Sequence, residues 1–259
     1  TGMPYNEDFN GATQEGAGFY QHNIRNGVRQ STAQTYLKLC ESRPNLTIIT
    51  GALSRKIIIK DGTAVGLKYC ESEGKTKAVK SAYARHEVIV CAGVINSPQL
   101  LELSGIGDRK RLETLNIQVE KHLPGVGENL QDHLTINILQ GLHGVTTFYE
   151  ETRPHNLIKN IFKFLFRRRG LLTHPAAQAG LFFCTDDEQT RPMAQVHFAP
   201  AASEADSKGN LKTAPGTTAT VCQLRPESRG SVHINCTDPE KHPNIKPNYL
   251  ATDSDKKTL

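Results

Sequence analysis

The stretch Val88-Ile-Val-Cys-Ala-Gly-Val-Ile-Asn-Ser-Pro-Gln-Leu-Leu-Glu-Leu-Ser-Gly-Ile-Gly107 decides the fold of this chain. Its β-branched start, residues 88–90, predicts a short strand buried in a sheet. Gly93 predicts a turn, and Ser97 followed by Pro98 predicts the N-cap and first residue of a helix that ends at the next Ser-Gly pair. A strand, a turn and a helix start can present backbone N–H groups to a cofactor, although most such units bind nothing.

The same residues resemble the second signature of the glucose-methanol-choline (GMC) family of FAD-dependent oxidoreductases, in its choline dehydrogenase and alcohol dehydrogenase branch. The matching residues are 92–101 and 104–107. Further blocks resemble the family in the family's own order, at residues 10–11, 14–16, 24–27, 43–47, 123–133, 225–230 and 247–250. The resemblance therefore covers nearly the whole chain, and it implies FAD as the cofactor.

Two family features are not found in the sequence. The Gly105-Ile-Gly107 and Gly125-Val-Gly127 pairs lack the third glycine of a Gly-x-Gly-x-x-Gly fingerprint. The His and the His or Asn that act on the substrate hydroxyl in family members belong to a C-terminal segment that these residues do not match. We therefore expect an internal fragment of a longer enzyme, with no catalytic residue of its own and no activity alone.

The resemblance implies a fold of the α/β and α+β classes. Residues 1–135 are expected to form the later part of a FAD-binding domain, and residues 136–259 part of a substrate domain built on a mainly antiparallel sheet. Periodicity and turn signals predict the individual elements. Strands are expected at 47–50, 54–60, 64–70, 86–91, 179–184, 194–199, 217–224 and 231–235, helices at 33–39, 108–115 and 155–168, a mobile loop at 203–215 and a domain seam at 132–142.

Composition excludes several classes of protein. A hydrophobic content of 37% with 22% charged residues is typical of a globular protein and argues against wholesale disorder. No apolar run reaches the roughly 20 residues that cross a bilayer. Six scattered cysteines without a Cys-x-x-Cys pair predict reduced thiols and no metal site. The sequence also lacks a His-Glu-x-x-His motif, a Walker loop and a complete Gly-x-Ser-x-Gly elbow.

The basic run Arg167-Arg-Arg169 follows an apolar stretch at residues 157–165 that predicts an amphipathic helix. One interpretation is a membrane-surface or nucleic-acid patch. The other, which the resemblance favours, is a solvated helix end with cations near the negative end of the helix dipole. We expect no nucleic-acid partner and no transmembrane segment, and the resemblance implies a cytoplasmic or membrane-associated enzyme.

The resemblance also assigns candidate site residues. Backbone groups of Ser54 are expected to hold the adenine side of FAD, because a backbone N–H and C=O pair can read adenine whatever the side chain. Ala92 and Gly93 are expected beside the cofactor, where a small or missing side chain permits close approach. The alternative interpretation is that Ser54 is an ordinary strand residue.

Asn129, Asp132 and His133 form a tempting catalytic set, because an Asp beside a His can polarise a hydroxyl. The resemblance instead implies a structural turn near the flavin, in which Asp and Asn cap backbone groups. Gln178 is the candidate for the substrate pocket. It occupies the position of a Glu in choline-handling relatives, and an amide is a poor partner for a quaternary ammonium.

Two functions follow as hypotheses. The first is part of an FAD-dependent dehydrogenase or oxidase that oxidises the CH–OH group of a small alcohol by hydride transfer to flavin, with an undetermined electron acceptor. The second is a GMC-derived binding or structural module without catalysis. Gln178 lowers the expectation of choline and favours a neutral primary alcohol or polyol.

Overall fold

The computed structural model describes residues 2–71, 78–186, 189–205 and 211–259. In these ranges the strands are β1 (Gly16–Phe19), β2 (Ile24–Arg25), β3 (Val28–Arg29), β4 (Ala52–Lys60), β5 (Thr63–Glu71), β6 (Val79–Tyr83), β7 (Ile106–Gly107), β8 (Lys121–His122), β9 (Glu128–Leu130), β10 (Thr135–Gly141), β11 (Ala179–Phe183), β12 (Ala194–Ala199), β13 (Ala202–Ala205), β14 (Leu211–Ala214), β15 (Gly216–Gln223), β16 (Gly230–His233) and β17 (Asn244–Lys246). The α-helices are α1 (Lys38–Cys40), α2 (Gly93–Leu103), α3 (Arg109–Thr114), α4 (Phe148–Glu151), α5 (Pro154–Arg167) and α6 (Asp253–Thr258).

The chain forms two compact units, each assembled from separate stretches of sequence. Unit 1 contains residues 1–46, 133–225 and 254–259, and unit 2 contains residues 47–132 and 226–253. The seam predicted at 132–142 begins where the chain passes from unit 2 into unit 1. The assignment of 1–135 and 136–259 to two functional domains stays a prediction, and residues 1–46 lie in the same unit as residues 133–225.

Unit 1 is built on a five-stranded sheet in the order β1-β11-β12-β15-β10. All four strand pairs in it are antiparallel, so the prediction of a mainly antiparallel sheet is confirmed. The predicted strands at 179–184, 194–199 and 217–224 correspond to β11, β12 and β15. Phe9, Phe182 and Cys222 lie in its core, with the Phe9 and Phe182 ring centroids 4.8 Å apart.

Unit 2 combines a β4-β5-β6 meander with helix α2, the sheet β17-β16-β9 and the parallel pair β7-β8. The predicted hairpin at Asp61-Gly62 is confirmed, and both residues have positive φ, as the tight turn between β4 and β5 requires. Helix α2 lies against β4, where the Ile57 N–H donates to the Ser104 hydroxyl at 2.8 Å. Leu100, Leu103 and Leu112 form the core beside it.

The prediction of a buried strand at 86–91 is wrong. Residues 87–91 form no strand, and the side chain of Ile89 is 75% exposed. A strand exists only through hydrogen bonds to a neighbour, and no described residue pairs with this stretch. The strand expected at 47–50 is absent for the same reason, and Ile48 and Ile49 are exposed.

The predicted start of the following helix is also wrong. Helix α2 begins at Gly93, with Ala92 as N-cap, so Ser97 and Pro98 lie inside it. Proline at this position removes only one helical hydrogen bond, which the buried leucines of the next turn offset by packing. The predicted stop is confirmed, because Gly105 has φ +85 and a Cβ there would lie 2.3 Å from the Gln118 carbonyl oxygen.

Two other predictions are corrected in part. The loop expected at 203–215 contains a hairpin of β13 and β14, while residues 206–210 of that prediction lie outside the described residues. The helix expected at 33–39 is a π-helical turn (Ala33–Leu37) followed by α1, and the hydroxyl of the predicted cap Ser31 accepts from the Gln34 N–H at 3.3 Å. The helix expected at 108–115 is confirmed as α3, and its N-cap Asp108 accepts from the Arg111 N–H.

Candidate cofactor site

Ser54 and Ala92 line one cavity of about 470 Å³ in unit 2, which we call cavity A. Strand β4 brings the first residue and the start of helix α2 brings the second. The other lining residues come from the same two elements and from the loop after β16: Ala52, Leu53, Asn96, Gln99, Leu100, Leu103, Pro239, Glu240, Lys241 and His242. Gln99 fixes that loop, because its side-chain amide donates to the Lys241 carbonyl at 2.8 Å.

Strand β4 is an edge strand of its sheet. Among the described residues it pairs with β5 alone, and its register shifts between Ser54 and Lys56. Alternate N–H and C=O groups of an edge strand point away from the sheet. Cavity A therefore borders backbone that can offer both a donor and an acceptor near the exposed Ser54.

Gly93 borders a second cavity of about 450 Å³, which we call cavity B. Its walls are the first turns of α2 and the loop that carries β9, with the residues Val94, Ser97, Pro98, Leu101, Val126, Gly127, Glu128, Asn129, Leu130, Gln131 and Val232. Gly93 has φ +82, and a Cβ built on it meets nothing within 4 Å. The residue therefore presents bare backbone to open space, as a close-packed ligand would require.

A buried polar group supports the loop of cavity B from behind. His233 lies between two carboxylates, with Nδ1 at 2.7 Å from Glu102 Oε1 and Nε2 at 2.9 Å from Glu128 Oε1. The second oxygen of Glu102 accepts from the Ile234 N–H at 2.8 Å. A Cβ at Gly127 would lie 2.7 Å from His233 Nδ1, so glycine is needed where the loop passes the imidazole.

The linings of the two cavities have chemistry suited to parts of a dinucleotide. Cavity A offers edge-strand backbone of the kind that reads adenine, and cavity B offers open space over a glycine. The first turn of the eleven-residue helix α2 has no side-chain cap, so its N–H groups remain available to a polar ligand. The Gly-x-Gly-x-x-Gly turn that would hold the pyrophosphate is not in the sequence, and we assign no residue to that role.

In the set Asn129, Asp132 and His133, the two titratable side chains have separate hydrogen-bond partners. The Tyr249 hydroxyl donates to the Asp132 carboxylate, which raises the pKa of Tyr249. His133 Nε2 lies 3.0 Å from the Leu224 carbonyl oxygen in unit 1. Asn129 has φ +66, a left-handed conformation that suits a turn. Asp132 thus binds a side chain where backbone capping was expected.

In unit 1, Gln178 precedes β11 and continues its ladder. Its N–H donates to the Phe198 carbonyl at 3.1 Å, and its own carbonyl accepts from the Tyr20 N–H at 2.9 Å. Because side chains alternate along a strand, Gln178 lies on the same face as Gly180 and as His197, which pairs with Gly180. We call this the polar face of the sheet.

The polar face carries a cluster of neutral hydrogen-bonding groups. The Tyr20 hydroxyl lies 3.1 Å from His197 Nδ1 and accepts from Gln195 Nε2 at 2.9 Å. A Cβ at Gly180 would lie 2.0 Å from that hydroxyl, so glycine makes room for the tyrosine. On the neighbouring strands the Thr220 hydroxyl donates to the Asn137 side-chain oxygen at 2.7 Å.

Burial shifts the pKa values of this cluster. It lowers the pKa of His197, and the nearby His133 lowers it further. Burial raises the pKa of Tyr20 against the opposing effect of the Gln195 hydrogen bond. Burial also raises the pKa of the Cys222 thiol. All three groups are thus held in their uncharged forms, as a partly dry surface requires.

Neither the buried Glu102–His233 pair nor the cluster around Tyr20 on the polar face was predicted from the sequence. Gln195 and His197 leave a weak signal, the alternation of polar and apolar residues along β12. Glu102 leaves another, since it is the one acid in the apolar run from Leu100 to Leu103. Neither signal identifies the residue that the side chain contacts. Among the described residues, no group of three or more His, Cys, Asp and Glu side chains is placed to hold a metal ion, and no helix is both apolar and long enough to span a bilayer.

Comparison with known proteins gives the family. The model of the GMC oxidoreductase family matches residues 1–135, which is more than half of the chain, and the chain belongs to this family. Members of the family are FAD-dependent flavoproteins. The resemblance drawn from residues 92–107 and the fold class are both confirmed.

Relatives that match nearly the whole chain are oxidoreductases. An alcohol dehydrogenase [acceptor] of Pseudomonas putida is 38% identical over 259 residues, which are 99% of this chain and 46% of that protein. An oxygen-dependent choline dehydrogenase of Serratia proteamaculans is 40% identical over 255 residues, 98% of this chain and 45% of that protein. The chain therefore spans about half the length of the curated relatives it matches.

Solved structures show the same fold. An FAD-dependent oxidoreductase from Chaetomium thermophilum superimposes with a TM-score of 0.80 at 24% identity, over 98% of this chain and 49% of that one. A formate oxidase of Aspergillus oryzae RIB40 superimposes with a TM-score of 0.85 at 23% identity, over 98% and 48%. At such identities the likeness concerns the fold alone.

Proposed function

We propose that this chain serves an FAD-dependent oxidoreductase that oxidises the CH–OH group of an alcohol. The observation that carries the proposal is the convergence of Ser54 and Ala92 on cavity A in a chain that belongs to the GMC oxidoreductase family. The two residues are 38 positions apart in sequence, and only the packing of α2 on β4 joins them. The relatives named as alcohol and choline dehydrogenases support the reaction class.

The residues of unit 2 would hold the cofactor. Backbone groups near Ser54 would bind adenine, and Ala92 and Gly93 would let the rest of the molecule approach the start of α2. A flavin held there would supply the hydride acceptor for oxidation of the alcohol carbon. His233 and Glu102 would keep the wall of cavity B in place through the buried hydrogen bonds behind Gly127.

The polar face of unit 1 would meet the alcohol. Its groups Gln178, His197, Tyr20 and Thr220 are neutral donors and acceptors. This set suits a neutral primary alcohol or polyol, because a quaternary ammonium favours a carboxylate or an aromatic face. A hydroxyl can accept from or donate to these groups without any charged partner.

Other parts of the proposal rest on the resemblance. The proton acceptor would belong to the family's C-terminal His and His or Asn pair, which this sequence does not match. The electron acceptor stays open, and a cytoplasmic or membrane-associated location remains a proposal. The relatives give no support to a non-catalytic module.

The test uses the full-length gene product. Protein purified with excess FAD and freed of unbound flavin should keep the flavin absorption bands at about one per chain. Anaerobic addition of neutral primary alcohols should then bleach the visible absorption of the oxidised flavin. Retained flavin that no alcohol reduces would contradict the reaction while leaving the cofactor site intact, and absence of flavin would contradict both.

A further inference from the structure

Helix α5 exposes its apolar side and buries a polar residue. Asn160 is 2% exposed, while five large apolar side chains of the same helix are each at least 40% exposed. These five residues, which we call the apolar stripe, are Ile158, Ile161, Phe162, Leu165 and Phe166. A surface helix of a globular protein normally has the opposite orientation.

Hydrogen bonds fix this orientation. The Asn160 side-chain amide donates to the Glu151 carboxylate at 2.6 Å and to the Glu151 carbonyl at 3.2 Å. The Asn156 amide donates to the Glu150 carbonyl at 2.9 Å, one turn earlier. Both asparagines therefore attach the helix to the end of α4. Rotating α5 to bury the stripe would break the hydrogen bonds of the half-buried Asn156 and the buried Asn160.

The stripe is continuous along the helix. Counted from Ile158, its members lie at positions i, i+3, i+4, i+7 and i+8, so their side chains lie on one face over about two and a half turns. The rings of Phe162 and Phe166 stack with centroids 6.0 Å apart, and Phe166 is 79% exposed. A contiguous exposed apolar surface of this kind marks an interaction site.

The charge around the stripe has one sign. The helix and its ends carry the cations Arg153, Lys159, Lys163, Arg167, Arg168 and Arg169, and residues 152–185 contain no Asp or Glu. The two preceding acids are engaged, since Glu150 caps α4 through Thr147 and Glu151 binds Asn160. Long cationic side chains can lie over apolar surface while their charged ends reach an anionic layer.

We propose that α5 is an in-plane membrane anchor that inserts its apolar stripe into a bilayer bearing anionic headgroups. An apolar face flanked by Lys and Arg is the pattern of helices that lie in the membrane interface. At 14 residues the helix is about 21 Å long, which is too short to cross a hydrocarbon core of about 30 Å. A nucleic-acid partner would leave the five apolar side chains without a role. The inference is independent of the proposed reaction.

The test is co-sedimentation of the full-length gene product with lipid vesicles. Vesicles of phosphatidylcholine with about a third phosphatidylglycerol should bind the protein, vesicles of phosphatidylcholine alone should bind it weakly, and 0.5 M salt should reduce the binding to the anionic vesicles. The variant F162S/F166S should lower the partition coefficient by about tenfold or more, because two exposed phenylalanines leave the acyl boundary. Both side chains are exposed, so this variant should melt at the same temperature as the wild type.

Two further variants separate the contribution of the cations from that of the apolar stripe. Replacing three flanking cations in K159Q/K163Q/R167Q should reduce binding to anionic vesicles by about tenfold or more and leave the weak binding to neutral vesicles unchanged. The control Y36S/L39S replaces two other exposed apolar side chains and should bind like the wild type.

Other outcomes would overturn the proposal. Equal binding by F162S/F166S and the wild type, or no binding of the wild type to anionic vesicles, would do so. A lipid-free dimer that F162S/F166S converts to monomer without any change in vesicle binding would assign the stripe to a second copy. A cysteine placed at position 162 that thiol reagents fail to label in the lipid-free, full-length protein would show that another segment covers the stripe.

Discussion

Nδ1 of His233 lies 2.7 Å from Oε1 of Glu102, and both side chains are buried although 131 residues separate them in sequence. The pair joins helix α2 to strand β16. Glu128 on β9 faces the other ring nitrogen, so one imidazole connects three elements around cavity B. The ring donates to both carboxylates when both of its nitrogens carry protons. With one ring proton it donates to one carboxylate, and it accepts from the other group only if that group is a protonated carboxyl.

Removing Glu102 should destabilise the protein far more than removing Glu128. E102A leaves His233 and the Ile234 N–H without their buried partner and should lower the free energy of unfolding by about 3–5 kcal/mol. E128A removes a carboxylate that is 49% exposed and should cost about 1 kcal/mol or less. Urea unfolding of both variants measures the difference.

E102Q is the conservative control for this pair. Its amide oxygen still accepts from the Ile234 N–H, so its loss should fall between those of the two alanine variants. Equal destabilisation by E102A and E128A would mean that the buried pair does not support α2 and β16 as described.

Gly93→Ala tests the cofactor site without a packing defect. Gly93 and Gly62 have similar positive φ, +82 and +76, and an added Cβ meets nothing within 4 Å at either. Both G93A and G62A should therefore cost about 1–2 kcal/mol from backbone strain alone. Gly93 lines cavity B and Gly62 does not.

The measurement is the flavin content of the two variants after gel filtration, with their stability determined in parallel. We expect G93A to retain less FAD than G62A at equal unfolding free energy. Equal flavin contents would remove Gly93 from the cofactor site.

Local signals predicted much of this fold. The Asp61-Gly62 turn and the alternation in residues 194–199 are properties of neighbouring residues, and both elements lie where the sequence places them. The strand expected at 86–91 failed because a strand depends on a partner that no local pattern supplies. The helix that follows begins at Gly93 and not at Ser97-Pro98. A capping pattern indicates where a helix can begin, but packing decides which start is used.

Part of the arrangement around the two cavities could be expected from the resemblance. The resemblance placed Ser54 and Ala92, and the structure joins them at one cavity. Glu102 and His233 could not be paired from sequence, since their contact depends on how α2 and β16 pack. The orientation of α5 could not be predicted either. The helical period identifies an apolar side of the helix, but it does not show that Asn160 faces inward.

The burial of His197 predicts a pH dependence of stability. Burial lowers its pKa in the folded protein, so the unfolded chain binds a proton first as the pH falls below the ordinary value of about 6.5. The unfolded state then holds more protons, and stability falls with falling pH. The contribution is fully present above that value and is lost as the pH falls through the lowered pKa of the folded state.

Urea midpoints of the wild type and H197Q between pH 7.5 and 5 measure this effect. The decline with acid should be shallower in H197Q, because glutamine does not titrate. H155Q, which replaces an exposed histidine of α5, is the matched control and should decline like the wild type. A slope in H197Q equal to that of the wild type would contradict the role of His197.

Gln178→Glu should redirect substrate preference if the polar face meets the alcohol. A carboxylate at position 178 would attract a quaternary ammonium, and an opposite charge in a partly dry site is worth a factor of about ten or more in binding. The ratio of kcat/KM for choline to that for its uncharged carbon isostere should therefore rise by about tenfold in Q178E, through a lower KM for choline. Q178M, which keeps the length of the side chain without charge or amide, should leave this ratio unchanged. A ratio in Q178E equal to that of the wild type would place Gln178 outside the substrate pocket, whatever the flavin content of the variant.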